Sequence, residues 1–350
     1  MKYLTIILSV FFFTVNSLQG QIRTLSGKRI DKSAMDNFIE KQLDSMQIKG
    51  ISIAVINNGK VVYHHTMGIS NMYTLDKIKK RTIFEAASIG KPLFAFFVMK
   101  LVDKNVLDLD TPLYKYLPYP DIAYDNRYKL ITARMVLDHT SGFPNWREND
   151  TLKIMFTPGT KFSYSGEGYE YLAKVVAHLT GCTMKNLDNL FQQEVAIPLN
   201  LKHTHFMINR FIAKNLAAGH DKEHIVYESN DKDSFHPAFG LYSESLDYSK
   251  FLIAMMENKL LKKETEDEML KQQIHLSEND NRMIQNLVGY GFGFYIKSSP
   301  YGTLYLHGGN NWGFTSSVLF SRDKKFGFVF FTNTDQCNEL KKSIERFLIN

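Results

Sequence analysis

Ser88 and Lys91 stand three residues apart in Ala86-Ala87-Ser88-Ile89-Gly90-Lys91, directly ahead of the apolar run Leu93-Phe94-Ala95-Phe96-Phe97-Val98-Met99. Pro92 fits inside a helix only in its first turn, where the amides have no intrahelical acceptor to lose, so the helix must begin near Ser88. On that turn Lys91 shares a face with Ser88. A hydroxyl beside an amine is a nucleophile beside a base, provided burial leaves the amine neutral. The spacing by itself is weak, because Ser-x-x-Lys arises on the order of once by chance in a chain of this length.

Two further segments add to it. Phe156-Thr157-Pro158-Gly159 turns the chain into Lys161-Phe162-Ser163-Tyr164-Ser165-Gly166, which places Tyr164 on a loop ahead of a helix. A buried phenol beside a lysine can exchange protons with it and return one to a leaving group. Leu306-His307-Gly308-Gly309-Asn310-Asn311-Trp312-Gly313-Phe314 follows a strand. Its paired glycines let backbone come very close to a neighbour, and an amide beyond them, with that of Ser88, would make an oxyanion hole.

The elements that must bring these segments together are legible in the periodicity. An amphipathic helix is expected over Ser33 to Met46, and strands over Gly50 to Ile56 and Lys60 to Met67, joined by Asn57-Asn58-Gly59. Strands recur over Tyr290 to Ile296, Thr303 to Leu306, Thr315 to Phe320 and Phe326 to Phe331, with a last helix over about Asn338 to Leu348. Between them lie helical patterns at Leu93 to Val102, Ala133 to Leu137, Tyr169 to Leu179, Lys185 to Phe191 and Asp247 to Met256. The fold class is therefore α/β in the α+β sense: an antiparallel sheet built from the N- and C-terminal segments, flanked by helices, with an inserted, mainly helical subdomain. The sheet subdomain takes about 30–91 and 286–350, the helical one about 92–285, and the cleft between them is the natural site.

With three segments in this order, the chain resembles the serine β-lactamase-related family, which includes class C β-lactamases, D,D-peptidases, D-aminopeptidases and esterases. The family motifs are Ser-x-x-Lys, Tyr-x-Asn and a Lys- or His-x-Gly triplet. The likeness extends to Thr82-Ile83-Phe84-Glu85-Ala86-Ala87-Ser88, Leu107-Asp108-Leu109-Asp110-Thr111-Pro112-Leu113, Leu137-Asp138-His139-Thr140-Ser141-Gly142, the Pro158-Gly159 before Tyr164, Pro198-Leu199-Asn200-Leu201-Lys202-His203-Thr204 and Gly240-Leu241-Tyr242-Ser243. It implies a β-lactamase/transpeptidase-like fold, acylation of Ser88, and proton handling by Lys91 and Tyr164. It also implies that His307 stands opposite them, with Gly309 beside it and the amides of Ser88 and Asn310 holding the oxyanion.

Two positions depart from the pattern. Gly166 stands where relatives carry an Asn that grips the substrate, a loss of roughly 0.5–1.5 kcal/mol for one hydrogen bond, which Ser165 or Glu167 would have to make good. His307 replaces a Lys, and an imidazole is mostly neutral at pH 7. Both favour hydrolysis of esters, amides or D-amino-acid peptides, with true β-lactamase activity as the alternative, and a binding or sensor protein acylated without turnover as a second. The expected partner is a small molecule or short peptide, and no metal or organic cofactor is expected.

Residues 1–20 carry one Lys and an apolar run from Tyr3 to Val15, the pattern of a secretory signal, and the run is shorter than the roughly 20 residues a spanning helix needs. Export to the periplasm or the exterior, without stable membrane insertion, is the expectation. The 350 residues have a net charge of +6 with both signs interspersed, and nothing in that pattern suggests a nucleic-acid surface. Cys182 and Cys337 are far apart and expected to be unpaired. His220 and His224 are loop residues rather than a metal pair, His203 and His205 read as a surface feature, and Asp138-His139-Thr140-Ser141 reads as structural. The absence of Gly-x-Ser-x-Gly argues against an α/β-hydrolase.

Overall fold

The computed structural model describes residues 21–221, 223–226, 233–276 and 286–350. Residues 1–20, read above as a secretory signal, lie outside the described residues, as do 222, 227–232 and 277–285. Eight antiparallel strands form the central sheet: β1 (Gly50–Asn57), β2 (Lys60–Gly68), β3 (Ile274–His275), β4 (Leu287–Tyr290), β5 (Tyr295–Ser299), β6 (Gly302–Asn311), β7 (Phe314–Ser321) and β8 (Phe326–Thr332). Their order is β2-β1-β8-β7-β6-β5-β4-β3, so β1 from the N-terminal end pairs with β8 from the C-terminal end.

Every residue of β1 is buried because the sheet is covered on both faces. Ile51, Ile53 and Val55 face one apolar core, where Met35, Ile39 and Leu43 of α1 (Lys32–Met46) meet Leu340, Ile344 and Leu348 of α5 (Asn338–Ile349). Residues four apart share a helix face, so each helix lays one stripe on the sheet, and Phe38 stacks on Phe347 at 4.0 Å between the two. Ala54 and Ile56 point the other way, into the larger core, where Ser52 meets Ser245 at 2.7 Å. Ser245 opens α4 (Ser245–Glu257); α2 (Gly90–Asp103) and α3 (Gly166–Leu179) lie in this same core. The fold is the mixed, large-sheet architecture expected for a β-lactamase/transpeptidase-like chain.

Some boundaries differ from the sequence reading. The expected strand over Tyr290 to Ile296 is two strands, β4 and β5, because Gly293 takes a positive φ of 82° and Gly291 donates to the Phe294 carbonyl, closing a turn. The expected strand over Thr303 to Leu306 runs on through Asn311, so the Gly-rich segment is strand and not turn. A helix over Lys263–Leu270 was not anticipated. Its sequence, Lys-Glu-Thr-Glu-Asp-Glu-Met-Leu, offers only two apolar residues, too few to show a period. Cys182 and Cys337 are both free thiols. Among the described residues, no helix is long and apolar enough to cross a membrane.

Candidate active site

The Ser88 turn is held from several sides. Ala87 is in left-handed backbone with φ of 50°, a conformation that costs an alanine free energy and puts a bend directly before Ser88. A short 3₁₀ turn, Ala87–Ile89, follows, and α2 begins at Gly90, which leaves Pro92 in its first turn. Tyr248 of α4 donates its hydroxyl to the Ile89 carbonyl at 2.7 Å, and Ser316 of β7 donates to the Ala86 carbonyl at 2.6 Å.

Lys91 is buried, with its Nζ 3.3 Å from Ser88 Oγ and 2.7 Å from the Ala238 carbonyl oxygen. Burial pulls its pKa down to about 7, with Glu170 opposing. The amine lies 4.7 Å from the centre of the Tyr164 ring. Burial drives the Tyr164 phenol far above its ordinary pKa while Ser88 opposes the rise, so the phenol is protonated near neutral pH. Its hydroxyl is buried and makes no well-formed hydrogen bond.

His307 lies in β6 with its ring 5.9 Å from that of Tyr164. Its Nδ1 is 2.7 Å from the Gly308 carbonyl, and burial, helped by the charge of Lys91, lowers its pKa to about 3. The imidazole is therefore neutral at pH 7. Gly309 faces the same way along the strand, and a Cβ on it would meet Ala86 O at 2.5 Å and Ser88 N at 3.0 Å. Only a glycine lets this backbone approach the Ser88 amide so closely. Asn310 faces the other way: its Oδ1 accepts from Thr315 Oγ1 and from the Gln336 amide, both at 3.1 Å.

Gly166 is packed under the Trp146 indole, and a Cβ there would meet ring atoms at 2.6–2.9 Å. Neither residue considered as a substitute for an Asn here is at liberty. Ser165 caps α3 by accepting from the Gly168 amide at 3.0 Å and donates to the Pro144 carbonyl at 2.8 Å. Glu167 pairs with Arg147 at 2.7 Å.

Sequence reasoning missed three contributors: Trp146, Glu170 and the Ala238 carbonyl. Glu170 accepts from His236 Nδ1 at 3.0 Å and from the Ala238 amide at 3.4 Å, so it holds the segment that carries the lysine's acceptor. The position of Glu170 one turn after Gly166, on the helix that follows Tyr164, was the available signal. His139 proves to pack 4.3 Å from the Tyr164 ring while its Nδ1 accepts from the Ser165 amide at 3.1 Å. Asp138 turns instead to Thr140, so no triad forms.

The other histidines lie elsewhere. His220 contacts the Asn333 carbonyl and the Met72 amide, and His224 is exposed. His203 and His205, read as surface residues, are half-buried beside Glu244 and Asp188. Among the described residues one triplet of possible metal donors comes together, His203, Glu244 and Asp247, but Glu244 caps α4 and Asp247 binds the His203 amide and Lys250.

The comparisons with known proteins agree with this architecture. The chain is 24% identical over 320 residues to Protein flp of Staphylococcus aureus (strain MW2), covering 85% of this chain and 62% of that protein, so it spans less than two thirds of that relative. It is 21% identical over 356 residues to Penicillin-binding protein 4* of Bacillus subtilis (strain 168), covering 91% and 75%. The octameric penicillin-binding protein homologue from Pyrococcus abyssi superposes with a TM-score of 0.75 at 24% identity, over 87% of this chain and 74% of that one. The sequence model of the Beta-lactamase family matches residues 35–348, and the chain belongs to that family.

Proposed function

We propose that the protein is a serine hydrolase that forms an acyl-enzyme on Ser88 and cleaves ester, amide or D-amino-acid peptide bonds. The observation that carries this reading is the buried Lys91 amine, 3.3 Å from Ser88 Oγ and with a pKa near 7. A neutral amine in that position accepts the serine proton as Oγ attacks the carbonyl carbon. The negative charge that develops on the carbonyl oxygen is met by the Ser88 and Asn310 amides. Collapse breaks the bond to the leaving group, which receives the proton from Lys91 by way of the Tyr164 phenol. Water then attacks the acyl carbon by the reverse path and frees Ser88. The leader at 1–20 supports a site of action outside the cytoplasm.

β-Lactam hydrolysis of the class C type is the second reading, favoured by membership of the Beta-lactamase family. The neutral His307 and the absence of a side-chain amide at Gly166 weaken it. Stable acylation without turnover is the third. Steady-state assays with an activated ester and with nitrocefin, alongside intact mass after penicillin treatment, separate the three. Ser88→Ala is expected to lower ester turnover on the order of 10⁴-fold or more. Turnover that survives this substitution would end the proposal.

A further inference from the structure

The residue two positions after Tyr164 has no side chain, and the space it would enter is filled from another part of the chain. Trp146 lies over Gly166 so closely that a Cβ there would stand 2.6, 2.8 and 2.9 Å from three atoms of the indole. This placement is fixed on both sides of Trp146. The Asn145 carbonyl accepts from the amides of Gly166 at 3.0 Å and Glu167 at 3.2 Å, and its side-chain oxygen also accepts from Gly166 at 3.0 Å. Arg147 makes a two-pronged contact with Glu167, Nε to Oε1 at 2.9 Å and Nη2 to Oε2 at 2.7 Å, and reaches Asp121 at 2.8 Å. The two neighbours thus clamp residue 146 to the first turn of α3, and the indole is presented rather than loosely draped.

The indole is still 44% exposed. It meets Phe239 edge to face, ring centres 5.5 Å apart at 76°, and Phe239 stacks on His236 at 4.7 Å. Phe239 directly follows Ala238, whose carbonyl accepts from Lys91 Nζ, and its own carbonyl accepts from Asn311 Nδ2 at 3.3 Å. The aromatic pair therefore begins one residue from the acceptor that holds the catalytic amine. With Ser165 and Glu167 both committed to the protein, the surface after Tyr164 is apolar and aromatic where an amide would have made it polar.

We infer that Trp146 and Phe239 form a recognition wall for a flat apolar group, so that the preferred substrates carry an aryl or arylalkyl group next to the scissile carbonyl. An aromatic ring can stack on or meet edge-on the exposed indole face, gaining dispersion and quadrupole attraction that a methyl group lacks. The inference deepens the hydrolase reading and rests on it for the site's chemistry.

The test reads the ratio of kcat/KM for p-nitrophenyl phenylacetate to that for p-nitrophenyl acetate. Trp146→Ala should lower this ratio tenfold or more, and Trp146→Phe should restore part of it. A ratio unchanged in Trp146→Ala, whether both rates fall, rise or stay, overturns the inference, because the indole is then a structural prop or a lid. A second measurement does not need turnover. The chain has two tryptophans, so Ser88→Ala combined with Trp312→Phe leaves Trp146 as the single indole reporter. Saturable quenching or enhancement of its emission by phenylacetate, and not by acetate, supports the wall even if no ester is hydrolysed. No response to phenylacetate at millimolar concentration overturns the wall while leaving the hydrolase reading intact.

Discussion

Gly309 and Ser88 are in backbone contact across the site: a Cβ placed on Gly309 would lie 3.0 Å from the Ser88 nitrogen and 2.5 Å from the Ala86 carbonyl oxygen. The same Cβ would meet Ser316 Oγ at 2.4 Å, and that hydroxyl already holds the Ala86 carbonyl. The strand can come this near Ser88 only while position 309 has no side chain.

Gly309→Ala should therefore cost about 1–3 kcal/mol of stability through overpacking. It should also lower ester turnover on the order of 10²-fold or more by displacing the amides around the oxyanion. Gly308→Ala is the control, since its Cβ would meet only the flexible end of Lys341 at 3.2 Å and the Ser316 carbonyl at 3.9 Å. Thermal melts and kcat/KM for an activated ester on both variants check this. Equal damage from the two substitutions would show that the Gly309 contact is not what positions the Ser88 turn.

The lowered pKa of Lys91 makes a pH prediction with a definite sign. With the neutral amine as the proposed base, kcat/KM should rise as pH increases through about 7 and then level. Stability follows the same residue. Between about 7 and its ordinary value of 10.5 the unfolded chain holds a proton on Lys91 that the folded chain has released, so this group makes the fold more stable as pH rises across that window. On the acid side His307, with its pKa lowered to about 3, stays neutral in the fold while its unfolded counterpart protonates below about 6.5, so stability falls as pH drops from there toward 3. A pH–rate profile and melts across the range test both. Activity that falls as pH rises through 7 would exclude Lys91 as the base.

Much of this site could be read from the sequence because local signals fix it. Ser88 lies in the 3₁₀ turn that leads into the helix of Lys91, Tyr164 precedes a helix, and His307 and Gly309 sit on the same face of one strand, so the local signals follow from period even though Tyr248 and Ser316 hold the Ser88 turn from distant chain. The sheet was legible for a similar reason, since runs such as Ile51 to Ile56 are apolar on both faces. What could not be read depends on tertiary contact. Gly166 looked like a lost amide, and only the fold brings Trp146 over it from a loop 20 residues earlier. Ser165 and Glu167 looked free to compensate, yet one is used as a helix cap and the other by Arg147. The break between β4 and β5 turned on backbone at Gly293 that a β-rich composition masked.

Glu170 offers the last prediction. Its carboxylate receives His236 Nδ1 and the Ala238 amide, and its charge is the one influence that raises the Lys91 pKa against burial. The other groups around the amine are the Ser88 hydroxyl, the Tyr164 and Tyr169 rings and the Ala238 carbonyl, and the nearby His139 and His307 are both held neutral by burial. Glu170→Gln removes the charge and keeps an oxygen able to accept from Ala238. The Lys91 pKa should then fall further, so the rising limb of the pH–rate profile moves to lower pH and turnover at pH 6 increases roughly severalfold, since each pKa unit corresponds to about 1.4 kcal/mol. Glu170→Ala, which loses the hold on His236 and Ala238 as well, should lower kcat across the whole range and the melting temperature with it. If the limb for Glu170→Gln stays where the wild type has it, or moves to higher pH, Glu170 acts only as a structural tie and the lysine is tuned by burial alone.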